Sequence, residues 1–287
     1  MLKLFVDSDC DFTIEQAKEL GVELILMPYS IGDETIYPYV DGKYDAHEYY
    51  DILRGGVVPK TSALSPIEYI NYFEPVFAAG DDILYVHFSK AMSGTFNSMN
   101  LALEELKEKY PERRLYTVDT KGISLLGYVV AQEVIKMYKE GKSGEEIQKW
   151  GIEGPQNYAI YFYADDLKFF KASGRVSGLA AMMGGILGIH PIIHMNKDGK
   201  MDTLTKVKGK KTTLRKIISY MEEKAVDIKK NKVYVAHGDA PQIVEEFINM
   251  LTALYGELDI EVVSVNPTAG AHCGPDVLGV CFKATGR

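Results

Sequence analysis

"HFSKAMSGTFNSMNLALEELKEKY", residues 87–110, decides the reading of the fold. Its first residues end a strand-like run, "DILYVHF". Its last residues form a helix, with Phe96, Met99, Leu103, Leu106 and Tyr110 on one apolar stripe at spacings of three or four. Between them lies Ser93-Gly94-Thr95, with Asn97 and Ser98 close behind. Hydroxyls around a glycine at a helix start have two readings. They cap the orphan N–H groups of the first turn, or they make the strand-to-helix junction a seat for an anion.

Outward from this stretch the first half alternates. "LKLFVD" and "VELILMPYSI" read as strands, and "RLYTVDT" as another. "FTIEQAKELG" reads as a helix, with Thr13 and Gln16 at capping-box spacing. "SPIEYINYFEPVFAAG" has Ser65, Pro66 and Glu68 in N-cap, first-position and box register. "YDAHEYYDILRGG", "ISLLGYVVAQEVIKMYKEG" (ended by Gly141) and "SGEEIQKW" (Ser143 with Glu146) are further helices. Strands alternating with helices predict a parallel sheet with helices on both faces. Ligands of such sheets bind beyond the carboxyl ends of the strands. Ser8 and Asp9, Ser89 to Thr95, and Asp119 to Thr120 would share that rim.

Near "GIEGPQNY" the rhythm changes. "YAIYFYA", "HPIIHMN", "KMDTLTKVKG", "KVYVAHG", "IEVVSVN" and "VLGVCFKA" read as strands, with a turn at Asp198-Gly199. Helices are expected over "VSGLAAMMGGILG", from Thr212 to about Ile228, and over "PQIVEEFINMLTALYG". The fold class is therefore α/β with two domains. Residues 1–154 form a doubly wound, mostly parallel sheet domain, and residues 155–287 a second α/β domain with a mixed sheet.

Composition narrows the function. The 287 residues are 46% hydrophobic and 25% charged, an ordinary globular balance. A net charge of −8 and a pI near 5.4 speak against a nucleic-acid partner. The basic run Lys206–Lys211 reads as a solvated hairpin end. Cys10, Cys273 and Cys281 show no pair spacing, which suggests a reduced, cytoplasmic setting without disulfides. No signal-peptide pattern opens the chain, and "GLAAMMGGILGIHPII" is too short and too interrupted to span a membrane.

No phosphate-loop or dinucleotide fingerprint survives inspection. His190 and His194 flank Pro191 in a strand-like run, a poor metal-ligand geometry. Three polar clusters remain: Lys60-Thr61-Ser62, Ser93-Gly94-Thr95, and Gly270 to Pro275, a loop with His272 near its centre. Ser or Thr with His invites a Ser/His esterase or thioesterase reading, but no nucleophile elbow is present. Neutral hydroxyls, an imidazole and helix N–H groups can instead hold a carboxylate by hydrogen bonds. The candidates for that role are Thr61, Ser62, Ser93, Thr95 and His272. A charge-poor, Met-rich helix, 178–189, could wall an adaptable apolar ligand through Leu179, Met182, Met183, Ile186 and Leu187.

These residues resemble the DegV family of bacterial fatty-acid-binding proteins, which includes the binding subunit of fatty acid kinase. The resemblance rests on motifs in order along the whole chain. They are Asp7-Ser8 with Asp11, Pro59-Lys60-Thr61-Ser62, Ser93-Gly94-Thr95 with Asn97-Ser98, and Val118-Asp119-Thr120. Asp166-Leu167, Gly174-Arg175-Val176-Ser177, Pro191-Ile192-Ile193, Asp198-Gly199, and Gly270, His272, Gly274 and Pro275 follow. Asp9, Phe12, Ala172-Ser173 and Asp276 depart from the family pattern.

The resemblance implies one long-chain fatty acid buried between two α/β domains. Thr61 and Ser93 fall on its carboxylate-binding positions, and His272 on the histidine beside the head group. Arg175 falls in its Gly-Arg motif, associated with docking the kinase's catalytic subunit. The implied protein is a lipid carrier of phospholipid metabolism, not itself a catalyst. It needs no cofactor or metal, binds no nucleic acid, and makes at most transient contact with a membrane surface.

Overall fold

The computed structural model describes residues 1–40, 44–177 and 188–287. The chain opens with β1 (Leu2–Asp7), which passes through a 3-10 turn at Ser8–Cys10 to α1 (Ile14–Leu20). Thr13 caps α1 in a full capping box with Gln16. β2 (Glu23–Ile25), β3 (Tyr29–Ile31) and β4 (Glu34–Ile36) follow, then α2 (Ala46–Arg54) and β5 (Lys60–Thr61). Ser65 boxes α3 (Pro66–Ala78) through Glu68. β6 (Asp82–His87), α4 (Thr95–Lys109), β7 (Leu115–Asp119), α5 (Leu125–Lys139) and α6 (Gly144–Trp150) complete the first half.

The second half contains β8 (Tyr158–Tyr163), α7 (Lys168–Ser173), β9 (Val176–Ser177), β10 (Ile189–Met195) and β11 (Met201–Lys208). It continues through α8 (Lys210–Lys224), β12 (Val233–His237), α9 (Pro241–Tyr255), β13 (Ile260–Ser264), α10 (Pro267–Cys273) and β14 (Leu278–Lys283).

The expected α/β class holds, with one parallel and one mixed sheet. The first sheet runs β2-β1-β6-β7, and every pair is parallel. The second runs β13-β12-β14-β8-β10-β11-β9. Its inner pairs are antiparallel and its two end pairs parallel. α5 lies between the two. Its apolar residues go nearly all round, as a helix buried on every side requires, and it packs on β1 and β6 as well as β8, β12 and β14. Gly127 lets α5 approach the turn after β1, since a Cβ there would lie 2.8 Å from Cys10 Sγ. Among the described residues no helix is long and apolar enough to cross a membrane.

Four expectations need correction. "VELILMPYSI" is two strands, not one. Leu26 N–H donates to Tyr72 Oη and Met27 N–H to Ser8 Oγ, so the backbone leaves the parallel ladder. After Pro28 the chain enters a small antiparallel sheet, β4-β3-β5. Val176-Ser177 pairs with β11 as a strand instead of opening a helix. The rest of that expected helix, with Leu179, Met182, Met183, Ile186 and Leu187, lies outside the described residues. α8 ends at Lys224, because Lys224 C=O and Val226 N–H are engaged by the chain around β14. Gly270 to Cys273 is helix, not loop. Asn266 Oδ1 accepts from Ala269 N–H and Pro267 opens the first turn.

Candidate functional site

The strand ends of the parallel sheet carry a tightly bonded rim. Asp11 Oδ1 accepts from Asn266 N–H and Nδ2, and Asp11 Oδ2 accepts from Ser124 Oγ. Asp7 Oδ2 accepts from Tyr85 Oη and Phe88 N–H. Ser89 Oγ donates across to Gly199 C=O at the β10–β11 turn. Burial raises the Asp7 carboxyl to about 7 and the Asp11 carboxyl to about 6 against their hydrogen bonds. The expected gathering of Ser8, Asp9, Ser89 and Thr120 on one rim is observed, and all four are buried.

Between this rim and the face of the second sheet lies a cavity of about 180 Å³. At roughly 10–15 Å³ per water-sized group, it admits a chain of about 12 to 18 such groups. Its walls are mostly apolar, with Met27, Phe88 and Leu125 on one side and Ile160, Phe162 and Met195 on the other. Ser124, also on the wall, is held at φ 54 by its N–H bond to Asp9 C=O and its hydroxyl bond to Asp11. A non-glycine residue keeps such a positive φ only where its surroundings over-determine it.

The cavity collects Thr61, Ser62, Ser93 and His272 from three distant parts of the chain. β5 brings Thr61, with Ser62 just after it, the turn before α4 brings Ser93, and the last turn of α10 brings His272. Gly274 ends α10 at φ 74, where a Cβ would meet the Phe169 ring at 2.3 Å. Thr61 Oγ1 lies 2.9 Å from His272 Nε2. Burial, with the Arg175 charge second, lowers the His272 imidazole to about 4, so it is neutral near pH 7. A neutral ring has one donor and one acceptor nitrogen. If Nε2 accepts from Thr61, Nδ1–H is left to donate. If Nε2–H donates, the Thr61 hydroxyl is left. His272 Nδ1 is buried and has no partner among the described residues. Nδ1 is sealed from the cavity, so the donor this pair can offer a ligand is the Thr61 hydroxyl, freed when Nε2–H donates to it.

Ser93 Oγ accepts from Thr95 N–H at 3.2 Å and keeps its own proton free of that bond. Capping and ligand exposure thus coexist there. Thr95 departs from the expectation. Its Oγ1 accepts from Leu64 N–H and lies 3.0 Å from Tyr69 Oη, so this buried hydroxyl ties α3 to α4 and is not on the cavity wall. Arg175 is exposed and also lines the cavity, its Nη1 donating to Ser173 C=O. Sequence reading placed Asp9 on the ligand rim without naming it a site residue, and it missed Thr268, because α10 itself read as loop.

A family model described as "Uncharacterised protein, DegV family" matches residues 1–285. The chain belongs to the DegV family. A DegV domain-containing protein of Clostridium perfringens is 32% identical over 283 residues, covering 97% of this chain and 96% of that protein. Among solved structures, a stearic acid-binding protein from Eubacterium ventriosum superposes with TM-score 0.85 at 24% identity, over 99% of both chains. A DegV family protein from Eubacterium eligens, loaded with heptadecanoic acid, superposes with TM-score 0.81 at 22% identity, over 99% of both chains. At these identities the two structures show the DegV fold of this chain.

Proposed function

We propose that this protein binds one long-chain fatty acid in the cavity and presents its carboxylate to the catalytic subunit of a fatty acid kinase. The carrying observation is an apolar cavity whose polar end, Thr61, Ser93 and His272, retains unused hydrogen-bond donors. Ser62 adds a fourth polar group there. Of the two proteins of the same fold named above, one binds stearic acid and the other is loaded with heptadecanoic acid, which supports the ligand class. Each buried CH₂ contributes about 0.8 kcal/mol. A tail of roughly fifteen carbons then supplies about 12 kcal/mol gross, several of which go to immobilisation. The tail gives affinity, while the polar end fixes which way the acid lies. The expected helix carrying Leu179, Met182, Met183, Ile186 and Leu187 belongs to this proposal as further tail wall.

In the kinase step, a carboxylate oxygen attacks the γ-phosphorus of ATP held by the partner. An acyl phosphate forms and ADP leaves. Arg175, exposed at the cavity near His272, is the proposed contact to that subunit, because Arg suits acidic partners. The sheets segregate before residue 120 and after residue 157, which supports reading 1–154 and 155–287 as two domains. Cys10, Cys273 and Cys281 are free and buried, which suits a cytoplasmic setting.

The alternative, a Ser/His acyl esterase, is less well supported. His272 Nε2 bonds Thr61, and among the described residues no carboxylate meets its Nδ1. An imidazole lowered to about 4 is a weak general base. Organic extraction and mass spectrometry of the purified protein, beside a nitrophenyl-ester assay, separate the two. The carrier yields stoichiometric free fatty acid and no turnover. A nitrophenol burst abolished by Ser93→Ala would establish the esterase. Arg175→Ala should keep its lipid and lose acyl-phosphate formation in a reconstituted kinase assay.

A further inference from the structure

The second sheet gives the cavity a floor, and that floor lacks a side chain at one point. Gly279 lies in β14, which pairs on both sides, with β12 and with β8. Among the described residues it is the only glycine inside a strand. A glycine there weakens the strand, and it usually marks a bulge, a bend or a close approach. Both ladders run through Gly279 without a shift in register, and its φ is not positive, so the backbone itself accepts any residue.

Close packing by another element does not require the glycine either. A Cβ at Gly127 would lie 2.8 Å from Cys10 Sγ, and one at Gly274 would lie 2.3 Å from the Phe169 ring. A Cβ at Gly279 would meet only Phe162 Cβ at 3.1 Å and Tyr161 C=O at 3.8 Å, both on the neighbouring strand β8. Nothing from α5 or the first sheet comes within 4 Å of that point. The open direction is the cavity. Gly279 and the residues directly opposite it, Ala236 on β12 and Phe162 on β8, all line it. Residues directly opposite share one face of a sheet. Ala236 and Gly279 therefore form a shallow depression beside Phe162, where a hydrocarbon chain can lie against the strand backbone.

We propose that Gly279, with Ala236 opposite it, is a specificity-determining position that sets how long an acyl chain the cavity takes. This inference rests on the fatty-acid reading above and names residues that discriminate among substrates of the same cavity. Methylenes laid in the depression leave water and gain contact with the sheet. A side chain grown there takes their space.

The test is calorimetric titration of the full chain, stripped of lipid, with decanoic, dodecanoic, tetradecanoic and hexadecanoic acids. The readout is the ratio of affinities for hexadecanoic and decanoic acid, in which losses common to both cancel. Each methylene kept out of the cavity costs about fourfold in affinity. Gly279→Val adds three carbons and Ala236→Val two, so each should lower the ratio about tenfold, and Gly279→Ala about fourfold. An unchanged ratio in both valine variants overturns the inference while the fatty-acid reading stands. If Gly279 only makes room for Phe162, the valine variant lowers the unfolding midpoint and weakens both acids equally, which also overturns it. Failure of the wild type to bind any of these acids overturns both readings. Should Gly279→Val not fold, Ala236→Val and Gly279→Ala decide.

Discussion

The rim of the parallel sheet and the mouth of the cavity are built from similar side chains, yet they differ in what is left unbonded. On the rim, Asp11 holds Ser124 and two donors of Asn266, and Ser8 Oγ accepts from Met27 N–H. The Asp11 bonds join segments 113 and 255 residues apart, and together these bonds leave little for a ligand. At the mouth, Thr61 and His272 satisfy each other only partly, and Ser93 accepts a bond while its proton stays free. Residue type does not separate structure from binding here. Unused hydrogen-bond capacity facing a cavity does. Thr95 makes the point within one motif. It stands two residues from Ser93, and its hydroxyl belongs to the structural group.

Substitutions can break or sharpen this contrast. The largest effect is expected at Asp7. Its carboxyl is raised from 3.8 to about 7, so its contribution to stability is fully present below pH 4 and is lost as pH rises through 7. Asp11, raised to about 6, acts in the same direction. Urea unfolding should therefore show that Asp7→Asn gains stability over wild type at pH 8, by up to about 4 kcal/mol, and loses that advantage near pH 4. A constant difference across that range would contradict the assignment.

Next comes Asp11→Ala, which removes three hydrogen bonds and places Ala at φ 57. It should cost about 3 kcal/mol of stability. Thr61→Ala and Ser93→Ala should behave in the opposite way. Each should weaken hexadecanoic acid binding by about 2 kcal/mol while the unfolding midpoint of the ligand-free protein moves little. Thr95→Val should do the reverse at smaller scale, costing about 1 kcal/mol of stability and leaving affinity unchanged. Affinity that fell with Thr95→Val and held with Thr61→Ala would invert the division of roles.

Much of the frame was legible because local rules agreed with the tertiary outcome. The Thr13, Ser65 and Ser143 capping boxes form as their spacing predicts. The apolar stripe of α4 is buried at Phe96, Met99 and Leu106. What stayed hidden depended on partners far along the chain. The break after Ile25 follows from Tyr72 and Ser8 capturing two backbone amides, which no local pattern announces. α10 has only seven residues, so glycine-rich composition outweighed its Asn266-Pro267 start. Misreading it as loop put His272 in the right neighbourhood for the wrong reason and left Thr268 unseen. Arg175, expected as a docking contact, is exposed but also lines the cavity, in the segment after α7, which packs against α10.

The central claim is where the carboxylate lies, and a crystal structure of the protein with hexadecanoic acid tests it most directly. The account predicts carboxylate oxygens within hydrogen-bond distance of Ser93 Oγ and Thr61 Oγ1, with the tail running inward past the apolar walls. An acid bound with its methyl end at Thr61 and its carboxylate elsewhere, or bound outside this cavity, would contradict it.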